Sequence, residues 1–177
     1  MSASPFVAGW IARLAPPGGE SESRPQTLRA LDVAMGRGRH ALVLARNGFQ
    51  TFGVDVKLEA VRDAVAAAAL ERLTVRGWCA DLTMFPLADA AFDLLVVTRY
   101  LQRDLFPSIR GAVKPGGHVI YETFTVRQRA LGVGPTAADH LLEPGELRAL
   151  FSGWQLLFYE EVDAPEAVAR VVARKPR

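Results

Sequence analysis

Hydrophobic positions along this chain fall into short runs that alternate with helical spacings. Leu28–Val33 is an apolar run and predicts a first strand. His40–Asn47 is amphipathic and predicts a helix. Phe52–Val54 predicts a second strand, ended by Asp55, and Leu58, Val61 and Val65 mark a helix with an alanine-rich remainder. Leu73–Cys79 predicts a third strand. Phe92–Val97 is nearly all apolar, as suits a parallel strand buried on both faces. Leu105, Ile109 and Val113 share a helical face, and Lys114-Pro115-Gly116-Gly117 breaks that helix before a strand at His118–Phe124. Pro144 opens a helix at Gly145–Phe151, since proline is tolerated in a first turn. Trp154–Tyr159 and Val168–Ala173 are two late strands, joined through Pro165. Repeated β-α-β units followed by a hairpin predict an α/β domain with a doubly wound, mainly parallel sheet and an antiparallel C-terminal hairpin.

Two stretches stand outside this alternation. Phe6, Val7, Trp10, Ile11 and Leu14 share one helical face, and Pro16–Pro25 reads as a flexible connector. The chain therefore divides into an N-terminal helix and linker at 1–26 and the main domain at 27–177. Trp10 either packs on that domain or helps to cover a ligand. Thr125–Leu142 has no periodicity and holds Arg127, Arg129, Gly132, Gly134, Pro135 and His140. A segment of that length is either a substrate-covering loop or disordered.

Composition narrows the function classes. A length of 177 residues, 50% hydrophobic, fits one domain with one core. The formal net charge is only +2 and basic residues are not clustered, which predicts no nucleic-acid partner. No apolar run approaches the ~20 residues of a membrane span. The N-terminus lacks a basic stretch and a clear cleavage site. The single Cys79 excludes an intrachain disulfide, suits a reducing compartment and, in its apolar setting, reads as a small core residue. These points predict a cytoplasmic chain with no membrane partner. His40, His118 and His140 lie far apart, so no metal is predicted. No Gly-x-Ser-x-Gly nucleophile elbow is present.

The candidate chemistry lies in Asp32-Val33-Ala34-Met35-Gly36-Arg37-Gly38, between the first strand and helix. A tight strand-to-helix turn needs glycine, and it lets a ligand approach the backbone at the carboxyl end of a sheet. Asp55 then stands where a carboxylate meets ribose hydroxyls. Gly36-Arg37-Gly38-Arg39-His40-Ala41 also satisfies the dinucleotide fingerprint with alanine last. Asp32 weighs against that reading. A pyrophosphate on the helix N-terminus would be repelled by it, whereas a sulfonium and an ammonium group would be attracted. Alternatively, Asp32 simply caps or tethers the turn.

The chain from about Leu28 to Lys175 resembles the class I S-adenosylmethionine-dependent methyltransferases, which have a Rossmann-like sheet. The resemblance is carried by the acid–glycine motif, Asp55, Cys79-Ala80-Asp81-Leu82, Phe92-Asp93-Leu94-Leu95-Val96-Val97 and Lys114-Pro115-Gly116-Gly117. Glu143-Pro144-Gly145-Glu146-Leu147-Arg148, Gly153-Trp154, Tyr159-Glu160-Glu161 and Ala173-Arg174-Lys175-Pro176 look like the small tellurite-resistance group. The resemblance implies S-adenosylmethionine as cofactor, with Asp55 on the ribose hydroxyls, Asp81 on the adenine amino group and the Leu82 backbone at the adenine edge. It places Gly36 and Gly38 along the methionine and ribose portions with Asp32 nearby, and adds Val56 and Thr98 to the cofactor set. Two departures stand out. Ala34 replaces the motif's first glycine, which is harmless in a β conformation and strained at positive φ. The last connection carries Asp163-Ala164-Pro165-Glu166 where the tellurite-resistance group has a polar His/Arg-bearing one.

Arg99 and Tyr100 follow the fourth predicted strand, Glu122 and Thr123 end the fifth, and His140 lies in the unpatterned segment. Arg99, Tyr100, Glu122 and His140 are the acceptor-side candidates, each open to a purely structural role. Arg99, Arg103, Arg127 and Arg129 suit paired oxygens. The expectation is methyl transfer to a small, anionic acceptor of the thiol or metalloid oxyanion class, with the catalytic residue unassigned. The alternatives are a non-catalytic S-adenosylmethionine-binding protein and an NAD-dependent oxidoreductase.

Overall fold

The computed structural model describes residues 2–16 and 27–177. Apart from Pro16, the expected connector Pro16–Pro25 lies outside the described residues. Among the described residues, seven strands stand in the order β3-β2-β1-β4-β5-β7-β6. They are β1 Arg29–Val33, β2 Gln50–Asp55, β3 Val75–Cys79, β4 Phe92–Thr98, β5 Val113–Phe124, β6 Gln155–Val162 and β7 Val168–Arg174. The sheet runs outward from β1 to β3, then resumes with β4 on the other side of β1. Such a reversal is where open α/β sheets bind ligands. By compactness the chain divides into Met1–Asp81 with Phe92–Val96, and Leu82–Ala91 with Val97–Arg177.

In the first unit, β1, β2 and β3 pair in parallel, with Asp32 opposite Gly53 and Gly53 opposite Gly77. This row explains Met35. A Cβ on Gly53 would stand 2.0 Å from the Met35 sulfur, and one on Gly77 would stand 3.3 Å from its methyl carbon. The two glycines form a trough that the Met35 side chain fills together with Val61 and Val65, which a Cβ on Gly77 would meet at 2.8 and 3.0 Å. Met35 joins Ala41, Val61, Ala64, Ala68 and Val75 in a core cluster beneath α2 (Arg39–Arg46) and α3 (Leu58–Leu70). Helix α1, Pro5–Leu14, starts at Ser4, whose hydroxyl accepts from the Val7 amide, and buries Val7 and Ile11. The Ser4 amide donates to His40 Nε2 at 3.0 Å, so α1 is tied to the first turn of α2.

In the second unit, β7 pairs antiparallel with both β5 and β6. Tyr121 of β5 is fully buried, stacked on Phe106 of α4 (Phe106–Ala112) at 5.4 Å and beside Phe151 at 6.2 Å, just past α5 (Glu146–Leu150). Lys175 Nζ donates to the carbonyls of Arg110, Gly111 and Val113 and so closes the C-terminus of α4.

Three sequence expectations change. Lys114-Pro115-Gly116-Gly117 is not a break before a strand at His118; it lies inside β5, because the Gly116 amide and the Gly117 carbonyl both bond to Lys175. Cys79 is exposed rather than in the core: it ends β3, an edge strand, and its thiol donates to the Val56 carbonyl at 3.3 Å. Thr125–Leu142 is ordered. Its neck is closed by Val126 N–H to Leu142 O and Leu142 N–H to Phe124 O, both 2.9 Å, and 3-10 turns occupy Val126–Leu131 and Ala138–His140. Gln128, 1% exposed, donates to Val133 O and accepts from the Ala167 amide, both at 2.7 Å. The main-chain neck, the buried Leu141 and Leu142 and this buried amide together order the segment, and none of them shows as apolar periodicity.

Candidate cofactor and acceptor sites

The turn between β1 and α2 is held by main-chain bonds and two carboxylates. Met35 N–H donates to Val54 O and Gly38 N–H to Met35 O, each at 3.0 Å. Asp55 Oδ2 accepts from Gly36 N–H at 2.8 Å, and its Oδ1 accepts from Lys57 N–H at 2.9 Å. Asp55 thus joins the glycine turn to the end of β2. Each of its oxygens keeps lone-pair capacity for a further donor. A Cβ added at Gly36 would meet nothing within 4 Å, so its face of the turn is open. Gly38 is different: a Cβ there would stand 2.7 Å from the Ala64 Cβ. Gly38 is required by the packing of α3 as well as by its φ of +77°.

Asp32 is fully buried. Its Oδ2 accepts from the Ala41 amide at 2.9 Å, so it caps α2 in place of Gly38, which has no side chain to do so. Its Oδ1 has no partner. Burial pushes the carboxyl up to about 7; the Ala41 bond and the Arg39 charge pull it down, and Asp55 raises it. An orphaned buried oxygen beside an open glycine turn suits a cationic ligand group rather than a pyrophosphate. The residues present therefore fit S-adenosylmethionine. Ala34 stands at φ +52°, which removes the β-conformation alternative and leaves a strained alanine. Val56, 63% exposed, follows Asp55 at the rim, and the Ala80 amide bonds to Asp55 O at 3.1 Å, leading to exposed Asp81.

Leu82 and Thr98 belong to the second unit, both buried, with Thr98 the last residue of β4. Among the acceptor-side candidates, Arg99 and Glu122 meet through their main chains, Arg99 N–H donating to Glu122 O at 2.8 Å. Their side chains part. The Glu122 carboxylate accepts from Arg170 Nε at 2.6 Å, while Arg99 Nη2 pairs with Glu166 at 2.6 and 2.7 Å. The Tyr100 carbonyl accepts from Tyr121 Oη–H at 2.8 Å; burial raises the Tyr121 hydroxyl far above its usual range, so it stays a donor. His140 is exposed on its 3-10 turn. The arginines expected to converge on an acceptor are engaged with other groups. Arg103 holds Glu146 through Nε and Nη2, Arg127 holds Asp163, and Arg129 donates to Thr136 O. Met35, Gln128, Asp163, Glu166 and Arg170 were not singled out as site residues from sequence. Only the two acids carried a signal, as the departure in the last connection.

A methyltransferase-domain family model matches residues 30–117. Among solved structures, TehB from Haemophilus influenzae is 17% identical with a TM-score of 0.76, covering 99% of this chain and 63% of that one. An S-adenosylmethionine-dependent methyltransferase from Mesorhizobium loti is 21% identical with a TM-score of 0.70, covering 95% of this chain and 98% of that one. The [4+2]-cyclase SpnF is 21% identical with a TM-score of 0.70, covering 97% of this chain and 80% of that one. No curated protein matches the chain in sequence. The matched span contains the acid–glycine turn, Asp55 and Asp81, so residues 30–117 match a methyltransferase domain, and the chain has the Rossmann-like fold of the methyltransferases.

Proposed function

We propose that this chain transfers the methyl group of S-adenosylmethionine to a small-molecule acceptor. The observation that carries the cofactor side is the buried, unpartnered Asp32 Oδ1 beside the open turn at Gly36. When bound, the cofactor supplies a methyl group already activated on a sulfonium. The chain's own contribution is then binding, orientation and desolvation. Asp32 offers a negative oxygen to the charged end. The turn leaves room at Gly36, Asp55 offers acceptors for ribose hydroxyls, and Asp81 offers one for the adenine amino group. Val56 gives apolar cover. Leu82 and Thr98 stay in the proposed set on the resemblance alone. No general base is assigned, because an acceptor that is already ionised needs none. Residues 27–177 form the functional domain in this reading, with α1 as an accessory helix.

A thiol or a metalloid acceptor remains the proposed class, drawn from the likeness of the chain's end to the tellurite-resistance group. The strained Ala34 favours one second reading, a binder of S-adenosylmethionine that transfers nothing. Calorimetric titration with S-adenosylhomocysteine and with NADH, followed by label transfer from methyl-labelled cofactor to a panel of thiols and tellurite, decides between them. Binding with label transfer supports the enzyme, binding without transfer supports the second reading, and saturable binding of NADH alone removes both.

A further inference from the structure

We propose that a basic cleft where the start of β5 meets the end of β7 binds a phosphate monoester. The methyl-transfer reading does not use this cleft, and the proposal does not rest on it. Gln155, Arg174, Lys175, Pro176 and Arg177 line the cleft, and all belong to the second unit. Its volume is about 370 Å³, within the range of small-ligand sites. Strand pairing sets His118 of β5, Arg174 of β7 and Gln155 of β6 in one row, where directly opposed side chains share a face. At the rise of a strand, this row stands about 20 Å before Phe124, the other end of β5. Glu122 and the Arg99 amide bonded to it lie at that other end, so the cleft is apart from the acceptor-side candidates.

Two guanidiniums converge there on a notch. Gly116, at φ +77°, has no side chain to fill it. A Cβ at Gly116 would stand 3.7 Å from Arg177 Nε and 3.8 Å from Arg174 Nη2. Arg174 Nε donates to Gly116 O at 3.1 Å, which fixes the fork and leaves its two terminal nitrogens over the notch. Lys175 adds a third positive charge, and its ammonium is held on three carbonyls. Among the described residues, none of these three cations pairs with a carboxylate, whereas Arg103, Arg127 and Arg170 of the same unit all do. A cleft lined by one sign of charge concentrates the opposite ion. Burial and the Arg174 charge hold the His118 imidazole below its usual value, so at neutral pH it is uncharged and has one N–H to offer. Two guanidinium forks match a terminal phosphate, with its two charges and three oxygens. An internal diphosphate such as that of NADH has one charge on each phosphorus and no terminal phosphate, so it is not matched.

The test is an NMR titration of the full chain with inorganic phosphate, phenyl phosphate and dimethyl phosphate. It is run at mildly alkaline pH, where a monoester is a dianion. The readout is the His118 ring proton, assigned by its loss in His118→Gln. Inorganic phosphate and phenyl phosphate should move that resonance saturably. Dimethyl phosphate, a diester with one charge, should bind at least about tenfold more weakly. Arg177 is exposed, so Arg177→Gln leaves the fold intact. It should weaken phenyl phosphate binding by about tenfold or more, the scale of a hydrogen bond to a charged group. Arg177→Lys keeps the charge without the fork and should recover only part of the loss. A His118 resonance that neither phosphate moves would overturn the proposal. So would undiminished binding by Arg177→Gln, or dimethyl phosphate binding as tightly as phenyl phosphate.

Discussion

At the scale of single residues, Asp32 and Ala34 carry opposite kinds of stress at the same turn. Ala34 holds a left-handed conformation that costs an L-residue with a Cβ about 1–2 kcal/mol. Ala34→Gly removes that cost and adds back about 0.4–1 kcal/mol of unfolded-state entropy. The variant should gain up to about 1.6 kcal/mol by denaturant midpoint and bind S-adenosylhomocysteine no more weakly. Asp32 stores its stress as a proton. Its carboxyl sits at about 7 in the fold against 3.8 for an unperturbed group, because burial penalises the charge. Between those values the folded chain holds a proton that the unfolded chain has released. Stability therefore falls as pH rises through this window and levels off above about 7. Asp32→Asn keeps an oxygen for the Ala41 amide and removes the titration. Its thermal midpoint should be flat across the window, and at neutral pH the variant should be more stable, on the order of 2–4 kcal/mol. A parallel fall in both proteins would show that Asp32 is not the group responsible.

At the scale of elements, the strands and helices were legible because hydrophobic period reports burial directly. Observed β2, β4 and α3 contain the apolar runs that predicted them. Elements held by other means were hidden. The extension of β5 through Pro115 depends on Lys175, far away in sequence, and the order of Thr125–Leu142 depends on its main-chain neck, buried Leu141 and Leu142 and one glutamine. The trough formed by Gly53 and Gly77 was invisible for the same reason: nothing local says that Met35 lies across two strands. Its consequence is testable. Gly53→Ala drives a methyl into the Met35 sulfur and should cost about 1–3 kcal/mol, the range for overpacking. Met35→Ala alone opens a cavity at about 2–5 kcal/mol. The double variant fills part of that cavity with the new methyl, so the two losses should fall short of additivity by at least ~0.5 kcal/mol. Full additivity in denaturant unfolding would mean that the two side chains do not share the trough. Gln128→Leu makes a similar test of the loop. It orphans the Val133 carbonyl and the Ala167 amide, and hydrogen exchange should speed up through 126–142 while β1, β2 and β3 stay protected.

At the scale of the whole molecule, the mainly parallel sheet with its antiparallel C-terminal hairpin followed from the alternation of elements, while the strand order and the pairing of charges did not. Arg99 meets Glu166 and Arg127 meets Asp163 only after a hairpin has folded back, and no period in the sequence encodes that. A ligand reports on the whole molecule in a way that single contacts do not, since anything bound only by the folded state adds to its stability. S-adenosylhomocysteine at about 100 times its dissociation constant should add about 2.7 kcal/mol. For a chain of this size that is a rise of roughly 5–10 °C in the thermal midpoint. NADH should give none, because the Asp32 carboxylate that caps α2 opposes a pyrophosphate at that helix N-terminus. Asp55→Ala removes the acceptors proposed for two ribose hydroxyls and also frees the Gly36 amide. Affinity should fall by about 1.5–3 kcal/mol, the scale of hydrogen bonds to a charged group. At the same ligand concentration most of the midpoint shift should then vanish, while the ligand-free midpoint moves much less. If Asp55→Ala keeps the full shift, Asp55 is a structural tie for the Gly36 turn and not a ligand contact.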